Sequence, residues 1–272
     1  MGYPLPPVKK TYGSYGTEKR GAPKRVIPNG YIKDKRGVIY DDKGDVWKAS
    51  PRIKGEYIVA PMTKIIRIGA FKDCKNLTHV SLPDTIEVIE ANAFMNCENL
   101  ETINFPSGLK MIESLAFKQC KKLSHVDIPE TLEQCDSCAF SGSPVENDVV
   151  SRVKPGFGMI GKCLVYVDPK MVADVVLEES FPVGVLSISS GALKDCGHIR
   201  ELHLPGGIKN LPFGFLEGQL EVVYLPASIE EMDNPFADCD KLKHIYVPKG
   251  HKERFQEMFY DWDEKRNLIE EM

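Results

Sequence analysis

Cys135-x-x-Cys138 has the spacing of a redox dithiol or of half a zinc site, chemistry that needs two thiolates within reach of one electrophile or ion. A zinc reading needs a second CxxC or a histidine pair, and neither accompanies it. Gly156-x-Gly158-x-x-Gly161 matches the form of a dinucleotide fingerprint. That mechanism requires a strand before the glycines and a helix N-terminus after them. Here Pro155 precedes them and the β-rich run Leu164-Val165-Tyr166-Val167 follows, so we expect a glycine-rich turn and no bound cofactor. The chain holds six histidines, yet no Ser-His-Asp or Cys-His set recurs at a workable distance. What any of these side chains can do depends on the elements that hold them.

Those elements repeat. Ala70-Phe71, Ala93-Phe94, Ala116-Phe117 and Ala139-Phe140 recur every 23 residues, and Cys74, Cys97 and Cys120 each follow the aromatic by three. Next comes a strand-like hexad closed by proline: Leu77-x-x-Val80-x-Leu82-Pro83, Leu100-x-x-Ile103-x-Phe105-Pro106, Leu123-x-x-Val126-x-Ile128-Pro129. A second apolar pair leads into the next Ala-Phe: Ile86/Ile89, Leu109/Ile112, Leu132/Cys135. The hexad returns at Ile199–Pro205, Leu220–Pro226 and Leu242–Pro248, with prolines now 21 and 22 residues apart. Cys196 and Cys239 again stand three residues after Leu193 and Phe236. Alternation points Val80 and Leu82 to a core and His79 and Ser81 outward. One such unit buries too little apolar surface to fold alone; stacked units share a core and a parallel ladder, about 4.8 Å per strand.

These residues resemble the BspA-like leucine-rich-repeat family, strongly over residues 60–145 and with departures over 183–248. The resemblance implies an α/β repeat solenoid, mostly β: a right-handed superhelix of short parallel strands with short helical turns, an irregular N-terminal cap and a helical C-terminal cap. Gly37-Val38-Ile39-Tyr40 through Pro51, and Gly161 through Tyr166, are similar to the hairpin cassettes that interrupt such arrays. Residues 251–260 suit a closing helix with Phe255, Met258 and Phe259 on one side. The departures are Leu193 in an aromatic slot, the irregular Leu211-Pro212-Phe213-Gly214-Phe215, and residues 143–160, which hold no clear unit and where we expect a bent or interrupted solenoid.

Stepping slots become columns of neighbours. Cys74, Cys97, Cys120, Cys196 and Cys239 share one slot, which argues for buried thiols, since free cysteine packs as a small hydrophobe. Cys97 and Cys120, on adjacent coils, would come within disulfide reach if their geometry allowed it. Cys135 occupies the slot of Ile89 and Ile112, and Cys138 that of Leu115, so both are expected in the core. His79, His125 and His244 share one outward slot. His79 and His125 lie two coils apart, about 9.6 Å, too far for one metal to bridge. The outward column Ser81, Asn104, Asp127 continues in the later coils as His203, Tyr224 and Tyr246, with Val222 and His244 beside it. Exposed aromatics offer contact area with a polar handle, which makes His203, Val222, Tyr224, His244 and Tyr246 the candidate binding residues.

Composition narrows the classes. The chain is 42% hydrophobic and 27% charged with a net charge of −4, too mild to imply a nucleic-acid partner, and no run approaches the ~20 apolar residues of a membrane span. Residues 1–36 hold nine Lys/Arg against two Asp/Glu. We expect residues 1–30 to be a basic flexible tail, 31–248 the solenoid interrupted around 143–182, and 249–272 the cap. The start, MGYPLPPVKKTYGSYG, has no apolar core behind its charges, and no secretory signal is expected in it. The expected function is protein binding through the outward sheet face, by a monomer, without catalysis, metal or cofactor. The family resemblance implies an adhesion-type protein, secreted or at the cell surface, binding proteins or host matrix; a cytoplasmic location is the alternative. Two other readings are a structural module of a larger assembly and an enzyme with its site in residues 143–182.

Overall fold

A computed structural model describes residues 27–259 and 262–272. Most of the basic segment 1–30 therefore lies outside the described residues.

The hexad slot forms one ladder. Strand Asn76–Ser81 pairs in parallel with Lys54–Ile58 on one side and Thr102–Ile103 on the other. Leu77 faces Gly55 and His79 faces Glu56, which leaves Thr78 without a partner. This bulge explains the sequence spacing: one extra residue turns both Leu77 and Val80 inward although three positions separate them. Proline after the hexad ends the strand because it has no N–H to give. The apolar pair forms a second parallel ladder of Ile65–Ile66, Val88–Ile89, Met111–Ile112 and Gln134–Cys135, burying Ile66, Ile89, Ile112 and Cys135.

The Ala-Phe turn closes each coil. Phe71, Phe94 and Phe117 take backbone hydrogen bonds from their N–H to the carbonyls of Ala93, Ala116 and Ala139, each at 2.7 Å. Their rings, with Phe140, stack face to face at 5.0, 5.2 and 5.3 Å, tilted by 7° or less. Alanine is needed before the ring because that backbone touches the next coil. The turn passes through left-handed backbone at Asp73, Asn96 and Gln119, and again at Asn92 and Leu115. Asparagine and aspartate tolerate that conformation; leucine does so at a cost of about 1–2 kcal/mol.

Residues 151–271 repeat the plan. The first half begins with an antiparallel meander of Ile32–Lys33, Ile39–Tyr40 and Val46–Lys48, which hands over to the parallel ladder at Val46–Ile66. The second half begins with the meander Ser151–Lys154, Phe157–Ile160 and Cys163–Val167, which hands over through Cys163 to Ser187–Ile188, Asn210–Leu211 and Glu231–Met232. Its hexad ladder runs Val175–Val176, Glu201–His203, Val222–Tyr224, His244–Val247 and Ile269–Glu271, all parallel. Helix Lys252–Met258 lays the buried Phe255 against the last coil, and Phe259 stacks on Phe236 at 6.3 Å.

The two halves have separate cores that meet at the second meander. Ile160, Cys163 and Val165 join the first core; Phe157, Met159, Leu164 and Val167 join the second. Strand alternation lets one segment serve both. Gly161 makes the close approach possible, since a Cβ there would sit 2.6 Å from the Leu132 carbonyl oxygen. Gly158 lies inside a strand, where a Cβ would meet Val150 at 2.8 Å, so the glycines form more than a turn: two bends and the strand between them. The hexad Leu123–Ile128 buries Val126 but belongs to no ladder. The short 3-10 turn Pro144–Asn147 takes the place of the next coil's strand there, and only the Val145 N–H reaches back to the Leu123 carbonyl.

Candidate functional site

The outward face of the second hexad ladder holds the five candidate residues. Leu202, Val223 and Ile245 are buried beneath it and fix the strands. The register sets His203 beside Tyr224, Tyr224 beside Tyr246, and Tyr246 beside Glu270 of the last strand. The His203 and Tyr224 rings stack at 3.8 Å and 13°, the Tyr224 and Tyr246 rings at 5.0 Å and 26°. His244 stacks against Tyr246 at 5.8 Å, and Val222 stands between Glu201 and His244 in the adjoining column. All five are half-buried.

Two carboxylates belong to this group that the sequence alone does not single out. Glu201 Oε1 is 2.7 Å from His203 Nε2, and Glu270 Oε1 is 2.8 Å from His244 Nδ1. Glu201 was within reach of sequence reasoning, because it lies two residues before His203 and so on the same strand face. Glu270 was not, because its place follows from the register of the terminal strand. Burial, Glu201 and Tyr246 together hold the Tyr224 hydroxyl above the usual tyrosine range.

The repeat-slot thiols have a different task. Cys97, Cys120 and Cys239 direct Sγ to the carbonyls of Phe71, Phe94 and Leu216 at 3.1, 3.3 and 3.2 Å, each on the preceding coil. All five slot cysteines are buried and free. Burial pushes Cys74 and Cys120 up to about 12 and Cys196 and Cys239 up to about 11, which removes them from thiolate chemistry. The CxxC pair divides: Cys135 is in the core, whereas Cys138 is exposed. The core assignment of Cys138 is therefore corrected. Its slot-mate Leu115 is itself only half-buried, at a left-handed turn position on the coil's rim. His79 contacts Thr78 Oγ1 in a different sheet from His244, and His125, which lies outside any strand, contacts Asp127. Among the described residues no group of three or more His, Cys, Asp or Glu is placed to hold a metal ion.

Two grooves flank the junction. One, of about 420 Å³, runs over Gln134, Asp136, Ser187, Ser189 and Asn210. Its polar groups tie the halves together: Ser187 Oγ donates to the Glu133 carbonyl at 2.6 Å, and Ser190 Oγ to Asp136 at 3.0 Å. The other, of about 750 Å³, lies in the middle segment between Lys154, Phe181 and Pro205. There Lys154 Nζ donates to the Glu179 carbonyl at 2.5 Å, and Glu178 accepts the Gly206 N–H at 2.8 Å. In both grooves these ionisable groups are engaged with backbone or hydroxyl partners. No helix among the described residues is long and apolar enough to cross a membrane.

Solved structures similar to the chain include bacterial leucine-rich-repeat proteins. The leucine-rich-repeat protein of T. pallidum is 23% identical, with 86% of this chain and 96% of that one covered at a TM-score of 0.36. A leucine-rich-repeat protein from Bacteroides ovatus is 18% identical, covering 91% and 76% at 0.33. A leucine-rich cell surface protein from Faecalibacterium prausnitzii is 16% identical, covering 84% and 89% at 0.31. No curated protein matches the chain. The family model for the BspA type leucine rich repeat region matches residues 54–152 and 176–268 in six copies, leaving out most of the second meander. With most of its length in those copies, stacked coil upon coil, the chain belongs to the BspA-type leucine-rich-repeat family, whose repeats serve as interaction modules.

Proposed function

We propose that this protein binds a protein partner across the outward face of its second hexad ladder, as an adhesion-type module at a cell surface or host matrix. The observation that carries this reading is the external ring column: His203, Tyr224 and Tyr246 stack on successive coils and leave the Tyr224 and Tyr246 hydroxyls with no hydrogen-bond partner among the described residues. Aromatic side chains with a polar tip are enriched at interfaces because they bury large area at little entropic cost. The solenoid supplies rigidity, so the face loses little freedom on binding.

The test is capture of host-matrix proteins by the intact chain and by a Tyr224→Ala, Tyr246→Ala variant of unchanged circular dichroism. Loss of one or more captured proteins in the variant is expected. A captured set identical in the two overturns the assignment of this face.

A further inference from the structure

Resting on that docking face, we infer that its partner presents an extended segment with two basic side chains, arginine above all, seated at Glu201 and Glu270.

The stacked geometry decides the class. The column rings face one another at 3.8 and 5.0 Å, so both faces of Tyr224 and one face each of His203 and Tyr246 are taken by neighbours. Sugars and quaternary amines bind open aromatic faces, and the middle ring of this column, Tyr224, has neither face open. What it offers is acceptors. Glu201 and Glu270 each give one oxygen to a histidine and keep further lone pairs open. Between them stand the hydroxyls of Tyr224 and Tyr246, which have no hydrogen-bond partner among the described residues. The two carboxylates give the site an excess of negatively charged acceptors, and a guanidinium brings five donors in a fork that fits a carboxylate. Two cations on these strands are turned to another carboxylate: Lys243 is held by Glu221 at 2.5 Å, and Arg200, one residue before Glu201, acts on Glu221 as well. The equivalent face of the first half lacks this arrangement, since the Asn104 amide bonds both the N–H and the carbonyl of Leu82, at 2.7 and 2.9 Å.

Spacing gives the ligand a length. Glu201 is on the strand next to that of Tyr224, and Glu270 lies two strands beyond Tyr224 and two residues further along in register, a span of about 16 Å at ~4.8 Å per strand and ~3.3 Å per residue. An extended peptide advances about 3.3 Å per residue and turns alternate side chains to one face, so two arginines four residues apart, about 13 Å, share that face and reach both carboxylates through their long side chains.

The probe is a fluorescein-labelled twelve-residue Gly/Ser/Thr peptide with two arginines four residues apart, read by fluorescence polarisation beside the same peptide with citrulline at both positions. Citrulline keeps the shape and removes the charge. The intact chain is expected to bind the arginine peptide at least tenfold more tightly, and Glu201→Gln, Glu270→Gln, both isosteric, to erase that difference. Equal binding of the two peptides overturns the inference, as does an unchanged preference in the double glutamine variant. If equal binding is found while Tyr224→Ala, Tyr246→Ala still loses captured matrix proteins, the docking face stands and only its basic specificity falls.

Discussion

The two halves of this solenoid stack aromatic rings at coil spacing, but on opposite sides of the sheet. In the first half the column is internal: Phe71, Phe94, Phe117 and Phe140 lie in the core, parallel within 7°. In the second half the internal column is broken, with Leu193 in one slot and Phe215 meeting Phe236 at 60°, while an ordered column of His203, Tyr224 and Tyr246 stands outside. The first half keeps a strict 23-residue period and the second does not. A regular period keeps each phenylalanine directly over the last, so dispersion and ring offset repeat without adjustment. The outward face is free of that demand, because the strands beneath it are fixed by Leu202, Val223 and Ile245 whatever stands above. The same stacking thus holds the coils together in one place and displays polar tips in the other.

That contrast can be broken by truncating each column. Phe117→Ala should lower unfolding free energy by about 3–5 kcal/mol in urea titration, because it opens a cavity between two rings. Tyr246→Ala should cost less than about 1 kcal/mol; an equal loss would make the outer column structural cover. The junction comes next. Gly161→Ala should cost about 2–4 kcal/mol, combining a clash with the Leu132 carbonyl and a left-handed backbone. A single cooperative transition in the wild type that separates into two in this variant would show the halves losing their coupling.

The thiol column sharpens the picture of the first half. Cys97→Ala should cost about 1–2 kcal/mol by loss of packing and of the bond to the Phe71 carbonyl. Because burial holds Cys74 and Cys120 near 12 against an ordinary 9.0, the unfolded thiols ionise first as pH rises. The buried thiols therefore stabilise the fold fully below pH 9, and that contribution is lost between 9 and 12. Thermal midpoints should fall across that window, less steeply in Cys120→Ala. A thiol reagent at neutral pH should find one reactive cysteine, Cys138, in the native chain. The smallest effect is a gain: Leu115→Asn should add about 0.5–1 kcal/mol, since Asn92 already fills that left-handed slot one coil earlier.

Much of this was readable from spacing. The Ala-Phe, cysteine and hexad slots are set by contacts between identical positions on adjacent coils, so a periodic sequence states the core column by column. Cys138 shows where slot logic fails: its slot lies at the rim, and a rim position constrains backbone conformation more than polarity. The glycines of residues 156–161 look like a turn in sequence because their real constraint, the backbone of Leu132 and the side chain of Val150, comes from elsewhere in the chain. The hexad Leu123–Ile128 has the residues of a strand and no strand beyond it to pair with.

The sequence by itself determined the repeating unit, the buried face and the adjacency of His203, Tyr224 and Tyr246, because local periodicity forces those side chains into register. Only the tertiary structure decided that a second meander joins two cores, that Cys138 faces solvent, and that Glu270 completes the outer column. Those outcomes depend on contacts between segments of unlike sequence, where no period carries the information and steric fit and strand register alone choose the neighbour.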